Sequence, residues 1–210
     1  EKANSYKPYG DTTQRYAGIK AKEILEKIIS QKDSSEGKIN AINLLNQINN
    51  KSLEFSIEKV NVPGQPFRAL VKYKNITSLY LRIIKVDEKL KEILTNQYDE
   101  KFWPAIIAAN PVKTWQQPLP VTNDLQQHST EIKVEALPVG EYVLVASSDN
   151  KKKKKKTIIG ARMLYVSSIS YVNNNEDYFV LNRDHGKPLP GANVEVWEQK
   201  YDYKNSRYIK

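Results

Sequence analysis

The sequence predicts a mainly β protein: a short α-helical hairpin, one complete antiparallel β-sandwich, and the opening strands of a second sandwich. Three observations lead there. Apolar residues recur at every third or fourth position before residue 50 and at every second position from residue 52 onward. Turn-forming clusters of Pro, Gly and Asn punctuate the period-2 stretch at short intervals as far as residue 166. Beyond that point the alternating pattern begins again but yields only three or four strands, too few to close a two-layer core.

The elements follow in order. Residues 1–13 are polar and read as loose chain. From Gln14, Ala17, Ala21, Ile24, Leu25 and Ile28 line one face of a helix, with Thr12 or Thr13 placed to cap its start. Asp, Ser and Gly interrupt the pattern at 32–37, and Ala41, Ile42, Leu45 and Ile48 then mark a second helix ending at Asn49 and Asn50. Two such helices joined by a short loop form an antiparallel hairpin over residues 1–50, which needs another surface on which to bury its stripe.

The sandwich is expected over residues 51–166. Leu53, Phe55 and Ile57 alternate with Glu54, Ser56 and Glu58, which is the pattern of a half-buried strand. Strands at 67–73 and 79–86 are separated by Lys74, Asn75, Ile76 and Thr77, a spacing that suits a hairpin. Residues 87–111 break the alternation: 88–94 reads as helix, and Phe102, Trp103, Ile106 and Ile107 form an apolar cluster, so this insertion is expected to pack on the sandwich as a lid. Strands resume at 112–116, 132–136, 142–146 and 157–166, giving seven in all. A second, truncated module is expected over 167–210, with strands at 168–172, 178–181 and 193–199 and a possible fourth at the end of the chain. Its two-prolines, two-glycines connection at 183–191 calls for positive φ at Gly186 and Gly191.

Composition removes several function classes. The chain has no cysteine, which excludes disulfides, zinc–thiolate centres and cysteine nucleophiles within these 210 residues. With only two histidines, His128 and His185, a histidine-rich metal site is not expected either. The net charge of +9 comes largely from six consecutive lysines at 151–156, which read as the solvated tip of a strand-to-strand connection. A nucleic-acid footprint needs a broad basic face with interleaved aromatics, and these lysines stand alone. No apolar run approaches the ~20 residues that span a bilayer, so any membrane association is expected through an anchor outside this segment.

Three groupings tempt a sharper reading. Asp184 and His185 precede Gly186, Lys187 and Pro188 and read as a turn. His128, Ser129 and Glu131 imitate fragments of a catalytic triad, but triad members meet in space rather than in sequence, so His128 reads as a capping or hydrogen-bonding side chain. Glu54, Glu58, Glu131 and Glu135 sit at the solvent-facing positions of alternating strands, where paired catalytic carboxylates are not expected. The sequence therefore assigns no catalytic, cofactor-binding or metal-ligating residue, and predicts a protein that is not an enzyme. Trp103, Trp115 and Trp197 offer the alternative of a carbohydrate-binding or adhesin-type sandwich if their rings are exposed and coplanar; the other reading has Phe102 and Trp103 packing the insertion onto the core and Trp197 ending a core strand. Asn75-Ile76-Thr77 and Asn50-Lys51-Ser52 match the glycosylation sequon, a tripeptide frequent by chance.

Three longer segments carry a resemblance to a known family. They are Tyr73-Lys74-Asn75-Ile76-Thr77-Ser78-Leu79-Tyr80-Leu81-Arg82-Ile83; His128-Ser129-Thr130-Glu131-Ile132 with Leu137-Pro138-Val139-Gly140-Glu141-Tyr142-Val143-Leu144-Val145-Ala146; and Tyr178-Phe179-Val180-Leu181-Asn182-Arg183-Asp184-His185-Gly186-Lys187-Pro188-Leu189-Pro190-Gly191-Ala192-Asn193-Val194. In this order and spacing they resemble the macroglobulin domains of bacterial α2-macroglobulin-like proteins of the Bacteroidetes type, over about residues 52–210. The resemblance implies immunoglobulin- or fibronectin-III-like sandwich modules that serve as non-catalytic scaffold in a protease-trapping protein of the periplasm or cell surface. It implies neighbouring domains of one parent chain as partners and proteases as the whole protein's targets, with no cofactor. A strand-exchange dimer through the incomplete module is a further expectation. The thioester of that family needs a Cys-x-x-Gln type motif, which these residues lack.

Overall fold

The computed structural model describes residues 6–7, 9–32, 34–150, 157–197, 200–202 and 207–209. The chain divides into two compact units, Glu1–Val166 and Ser167–Lys210.

In the first unit, α1 (Ala17–Ile29) and α2 (Glu36–Asn49) form the helical hairpin, burying Leu25 and Ala41. The cap of α1 differs from the expectation. Tyr16 occupies the cap position without a side-chain bond, while Thr13 turns its amide and hydroxyl onto Asp11. Residues 13–16 form turns ahead of the helix instead of its first turn. Ser35 caps α2 by accepting from the Lys38 amide at 3.3 Å.

The strands are β1 (Ser52–Ile57), β2 (Val60–Asn61), β3 (Phe67–Lys74), β4 (Ser78–Lys85), β5 (Lys113–Pro118), β6 (His128–Val134), β7 (Gly140–Ser147) and β8 (Ile159–Val166). One sheet has the order β1-β3-β6 and the other β2-β8-β7-β4-β5. Seven of the eight match the sequence expectation; β2 does not, because two residues paired parallel to β8 are too short to show a period. Between the sheets lies the main core: Phe55, Ala69, Val71, Tyr73, Ile132 and Val134 from one layer meet Leu79, Leu81, Ile83, Tyr142, Leu144 and Leu164 from the other. Thus the period-2 residues of both layers face each other, and the chain is a β-sandwich.

The larger sheet is buried on its outer face as well. Between β4 and β5 the chain forms α3 (Glu88–Leu94) and α4 (Phe102–Ala108), and these cover Ile84, Val143 and Val145 to make a second core around Leu94 and Ile106. The Asp87 side chain caps α3 at the Leu90 amide, 2.8 Å away, and Lys91 reaches Glu141 at the start of β7, 2.6 Å away. This double burial is why Tyr142 to Ala146 read as an unbroken apolar run. The smaller sheet keeps its outer face in solvent, with Glu54 opposite Lys72 in register and Arg68 bonded to Glu131.

The second unit contains the hairpin of β9 (Ile169–Asn174) and β10 (Asp177–Asn182) and the hairpin of β11 (Lys200–Asp202) and β12 (Arg207–Ile209). Residues 192–197 form no strand, contrary to the expectation for 193–199, of which 198–199 lie outside the described residues. Val194 and Val196 keep the alternation of a strand, but a strand also needs a hydrogen-bonded neighbour; among the described residues β9 pairs with β10, and the free side of β10 makes a bridge from Leu181 to Pro188 instead. Trp197 accordingly ends no core strand and is 65% exposed. Gly186 and Gly191 have φ of 69° and 75°, as their turn requires.

Candidate functional site

A buried polar cluster of the first unit is built on the loop between β5 and β6. Asn123 and Leu125 both hold left-handed backbone, at φ 50° and 59°, and between them Asp124 points inward with its side chain fully buried. For a leucine this conformation costs on the order of 1–2 kcal/mol, so the surroundings must impose it. They do so through the carboxylate. Arg15 Nε donates to Asp124 Oδ2 at 2.8 Å, the Gln126 amide donates to Oδ1 at 3.1 Å, and His128 Nε2 lies 2.8 Å from the same Oδ1. An ionised carboxylate only accepts, so the proton on His128 sits at Nε2. Gln126 then returns a bond from its side chain to the Arg15 carbonyl at 3.1 Å.

The electrostatics are decided by competition. Burial on its own raises the Asp124 carboxyl, but the bonds from His128, Arg15 and the Gln126 amide outweigh it and hold Asp124 below the usual carboxylate range. The same bond raises Arg15 further above its ordinary value. Tyr73, whose hydroxyl donates to the Pro120 carbonyl at 2.9 Å, is pushed up by burial and then by the nearby Asp124 charge.

This cluster joins the helical hairpin to the sandwich. Arg15 precedes α1, and Gly18 on α1 passes close to Asp124 and Leu125. At the other end of the hairpin, Asn75 in the β3–β4 turn (φ 56°) donates its side-chain amide to the carbonyls of Ile48 and Asn50, both at 3.0 Å. The amide nitrogen that a glycosylated sequon would use is thereby committed to holding α2. A β-carbon at Gly18 would stand 3.6 Å from the Asp124 carbonyl and 3.6 Å from Leu125 Cβ, an ordinary contact distance. Gly18→Ala is therefore expected to stabilise the first unit by about 0.5–1 kcal/mol through helix propensity. A thermal melt checks this, and a lower melting temperature would show that the loop sits too tightly against α1 to admit a methyl group.

The Asp124–His128 pair has the carboxylate–imidazole half of a hydrolytic triad, but among the described residues no nucleophile is hydrogen-bonded to it. Ser129 belongs to the opposite, solvent-facing register of β6, and among the described residues no hydroxyl bonds to His128. The cluster's chemistry is that of a fastener. Asp184 and His185 lie elsewhere, in the second unit. There the Asn182 side chain accepts from both their amides, and the Gly186 amide donates to the Asn182 carbonyl, which is the turn expected of them. Glu131 and Glu135 pair with Arg68 and Lys133 on the sandwich surface. Among the described residues no three His, Asp or Glu side chains converge as a metal centre. The lysines at 151–156 lie outside the described residues; the connection that contains them joins the antiparallel partners β7 and β8.

The tryptophans divide. Trp103 meets Phe102 edge-on at 5.4 Å and packs on the second core, and Trp115 packs on the first. In the second unit Tyr171, Tyr178 and Trp197 line a groove of about 520 Å³, with the two tyrosine rings 6.0 Å apart and inclined at 48°. Rings so inclined do not form the coplanar platform that sugar stacking requires. No pattern in the sequence marks Asp124, a lone acid in a stretch without periodicity, beyond a histidine four residues on.

No family model matches the sequence, and no curated protein matches it. Among solved structures, the chain is similar to native α2-macroglobulin from Escherichia coli over domains MG0-NIE-MG1, with 14% identity and a TM-score of 0.49. The match covers 66% of this chain and 47% of that one, so the chain spans about half of the fragment it matches. It is also similar to the CARDB domain of a Pyrococcus furiosus protein in complex with di-metal ions, with 11% identity and a TM-score of 0.30 over 56% of this chain and 92% of that one. A superoxide reductase (neelaredoxin) from Ignicoccus hospitalis matches with 11% identity and a TM-score of 0.34, over 64% of this chain and the whole of that one.

Proposed function

We propose that these residues are non-catalytic scaffold within a larger α2-macroglobulin-like, protease-trapping protein of the bacterial periplasm or cell surface. The observation that carries this reading is where the three family-like segments fall in the sandwich. The first spans the end of β3, the Asn75 turn and β4; the second spans β6, the turn before Gly140 and β7. β4 and β7 are inner strands of the larger sheet and β6 is an edge of the smaller one, so the segments that resemble macroglobulin domains supply core residues from both layers. The third segment covers β10 and the Gly186–Gly191 connection, consistent with the opening of a second such module over 167–210. The charged and titratable side chains support the same reading, because Asp124, His128, Arg15 and Lys91 are all engaged in joining one element to another.

In this reading the chain's partners are neighbouring domains of the parent and, through the parent, proteases. The apolar positions Tyr171, Val172, Tyr178 and Phe179 on the β9–β10 hairpin are available to complete the second module or to exchange strands with a second copy. The test uses the parent protein mixed with a protease. Small-peptide turnover is expected to survive while casein turnover is blocked, and deleting residues 52–166 is expected to abolish that protection. Casein hydrolysed at the same rate with and without the parent would refute trapping. Ester, peptide or glycoside hydrolysis by the present chain alone would refute the scaffold role.

A further inference from the structure

Arg82 lies on β4 between Leu81 and Ile83, both buried in the main core, so its side chain leaves from the opposite, lid-covered face of the large sheet. Its Nη2 sits 3.5 Å from the Ile106 carbonyl in the last turn of α4, the outer limit of a hydrogen bond. Its Nη1 is buried and has no hydrogen-bond partner among the described residues, and no carboxylate there forms an ion pair with it. Burial also lowers the Arg82 pKa, because desolvation disfavours the charged form. A guanidinium does not shed its proton near neutral pH, so a buried one ordinarily has an anion or an acceptor beside it.

Beside Arg82 runs a groove of about 400 Å³. Its floor is the outer register of four strands, with Tyr80, Arg82, Thr114, Gln116, Ser147 and Ile159 along it. The groove also contains Asp149, whose two carboxylate oxygens both accept from the Thr157 hydroxyl at 2.9 and 3.0 Å. Arg82 thus brings a guanidinium to a groove that also carries hydroxyl and amide groups and the Asp149 carboxylate held by Thr157; the volume suits a small organic molecule, and a guanidinium suits its phosphate or sulfate group.

We propose that this groove binds a small oxyanion-bearing ligand of about phosphosugar size, with the anionic group against Arg82 and the neutral body along Tyr80, Thr114 and Gln116. The assignment is independent of the scaffold role.

The test is titration of the isotope-labelled protein with inorganic phosphate, glucose 6-phosphate and glucose at constant ionic strength. Saturable shifts are expected at Arg82, Thr114 and Ser147 for both phosphates, with glucose 6-phosphate binding more tightly and glucose not binding. Arg82→Met keeps the side-chain length without the charge and is expected to weaken both phosphates by about tenfold or more, as loss of a charged hydrogen bond does. A variant with serine at 151–156 separates the groove from the lysine run and is expected to bind unchanged. The proposal is overturned by the absence of saturable shifts up to about 10 mM, by glucose binding as well as its phosphate, or by binding that survives Arg82→Met and disappears with the lysines. Should Arg82→Met not fold, the location of the shifts in the wild-type protein decides the question: shifts confined to residues flanking 151–156 overturn it.

Discussion

Asp124→Ala is expected to destabilise the first unit by about 3 kcal/mol, the lower end of what removing one partner of a buried charged network costs. The lower end applies because Arg15 is 38% exposed and water screens much of its lost partner, whereas His128 is 14% exposed and is left facing a void. The left-handed backbone at Asn123 and Leu125 loses the carboxylate that imposes it, so the loop is expected to relax and α1 to lose its anchor. Urea unfolding should show the lower midpoint, and hydrogen exchange should show α1 opening ahead of the sheets. A loss below about 1 kcal/mol would mean that apolar contacts, not the Asp124 cluster, hold the hairpin.

The same residue sets an acid limb. Its folded pKa lies below the ordinary value of an aspartate, so in the transition the unfolded chain binds more protons and stability rises with pH. The contribution is fully present above the unfolded value and drains away as pH falls through the lower, folded one. Asp124→Asn is expected to flatten stability across that window below about pH 5 while leaving the profile near neutrality parallel to wild type.

The second large effect is expected at Leu144, fully buried at the centre of β7 in the main core. Leu144→Ala should cost about 3–4 kcal/mol through lost burial and the cavity it leaves between two sheets that cannot collapse onto it. Ile106→Ala, in the second core across the same sheet, should cost about 2–4 kcal/mol. Because the two cores are separated by a sheet and share no side chains, the double variant should equal the sum within about 0.5 kcal/mol. Chemical denaturation of the four proteins measures this directly. A strongly non-additive double variant would show that the lid and the sandwich act as one core.

Most of the architecture was legible in the sequence because most of it obeys a period. Leu53 to Ile57 and Glu131 to Val134 alternate cleanly since each strand has one face in the core and one in water, and the stripe from Ala17 to Ile28 announces α1. The lid was readable because Phe102, Trp103 and Ile106 are too apolar for free loop. Pattern fails where a partner, and not a face, decides the outcome. Val194 and Val196 alternate without a neighbouring strand, while Val60 and Asn61 pair without alternating. Arg82 reads as a solvent-facing position because alternation places it opposite the core, and the lid that covers this face is encoded elsewhere. Asp124 and Arg15 stand 109 residues apart, and nothing local to either refers to the other.

The burial of β7 on every side has a consequence for the chain before it folds. Tyr142-Val143-Leu144-Val145-Ala146 is uncharged, free of proline and rich in β-branched residues, which is the composition of a self-associating segment. In the native state β4 and β8 occupy its edges and a core covers each face, so it has no surface left with which to recruit another copy. During synthesis or after heating it has all of them. Glu141 before it and Asp149 after it supply charges of the kind that disfavour stacking of such segments. Closure of the sandwich therefore also hides this segment from other copies.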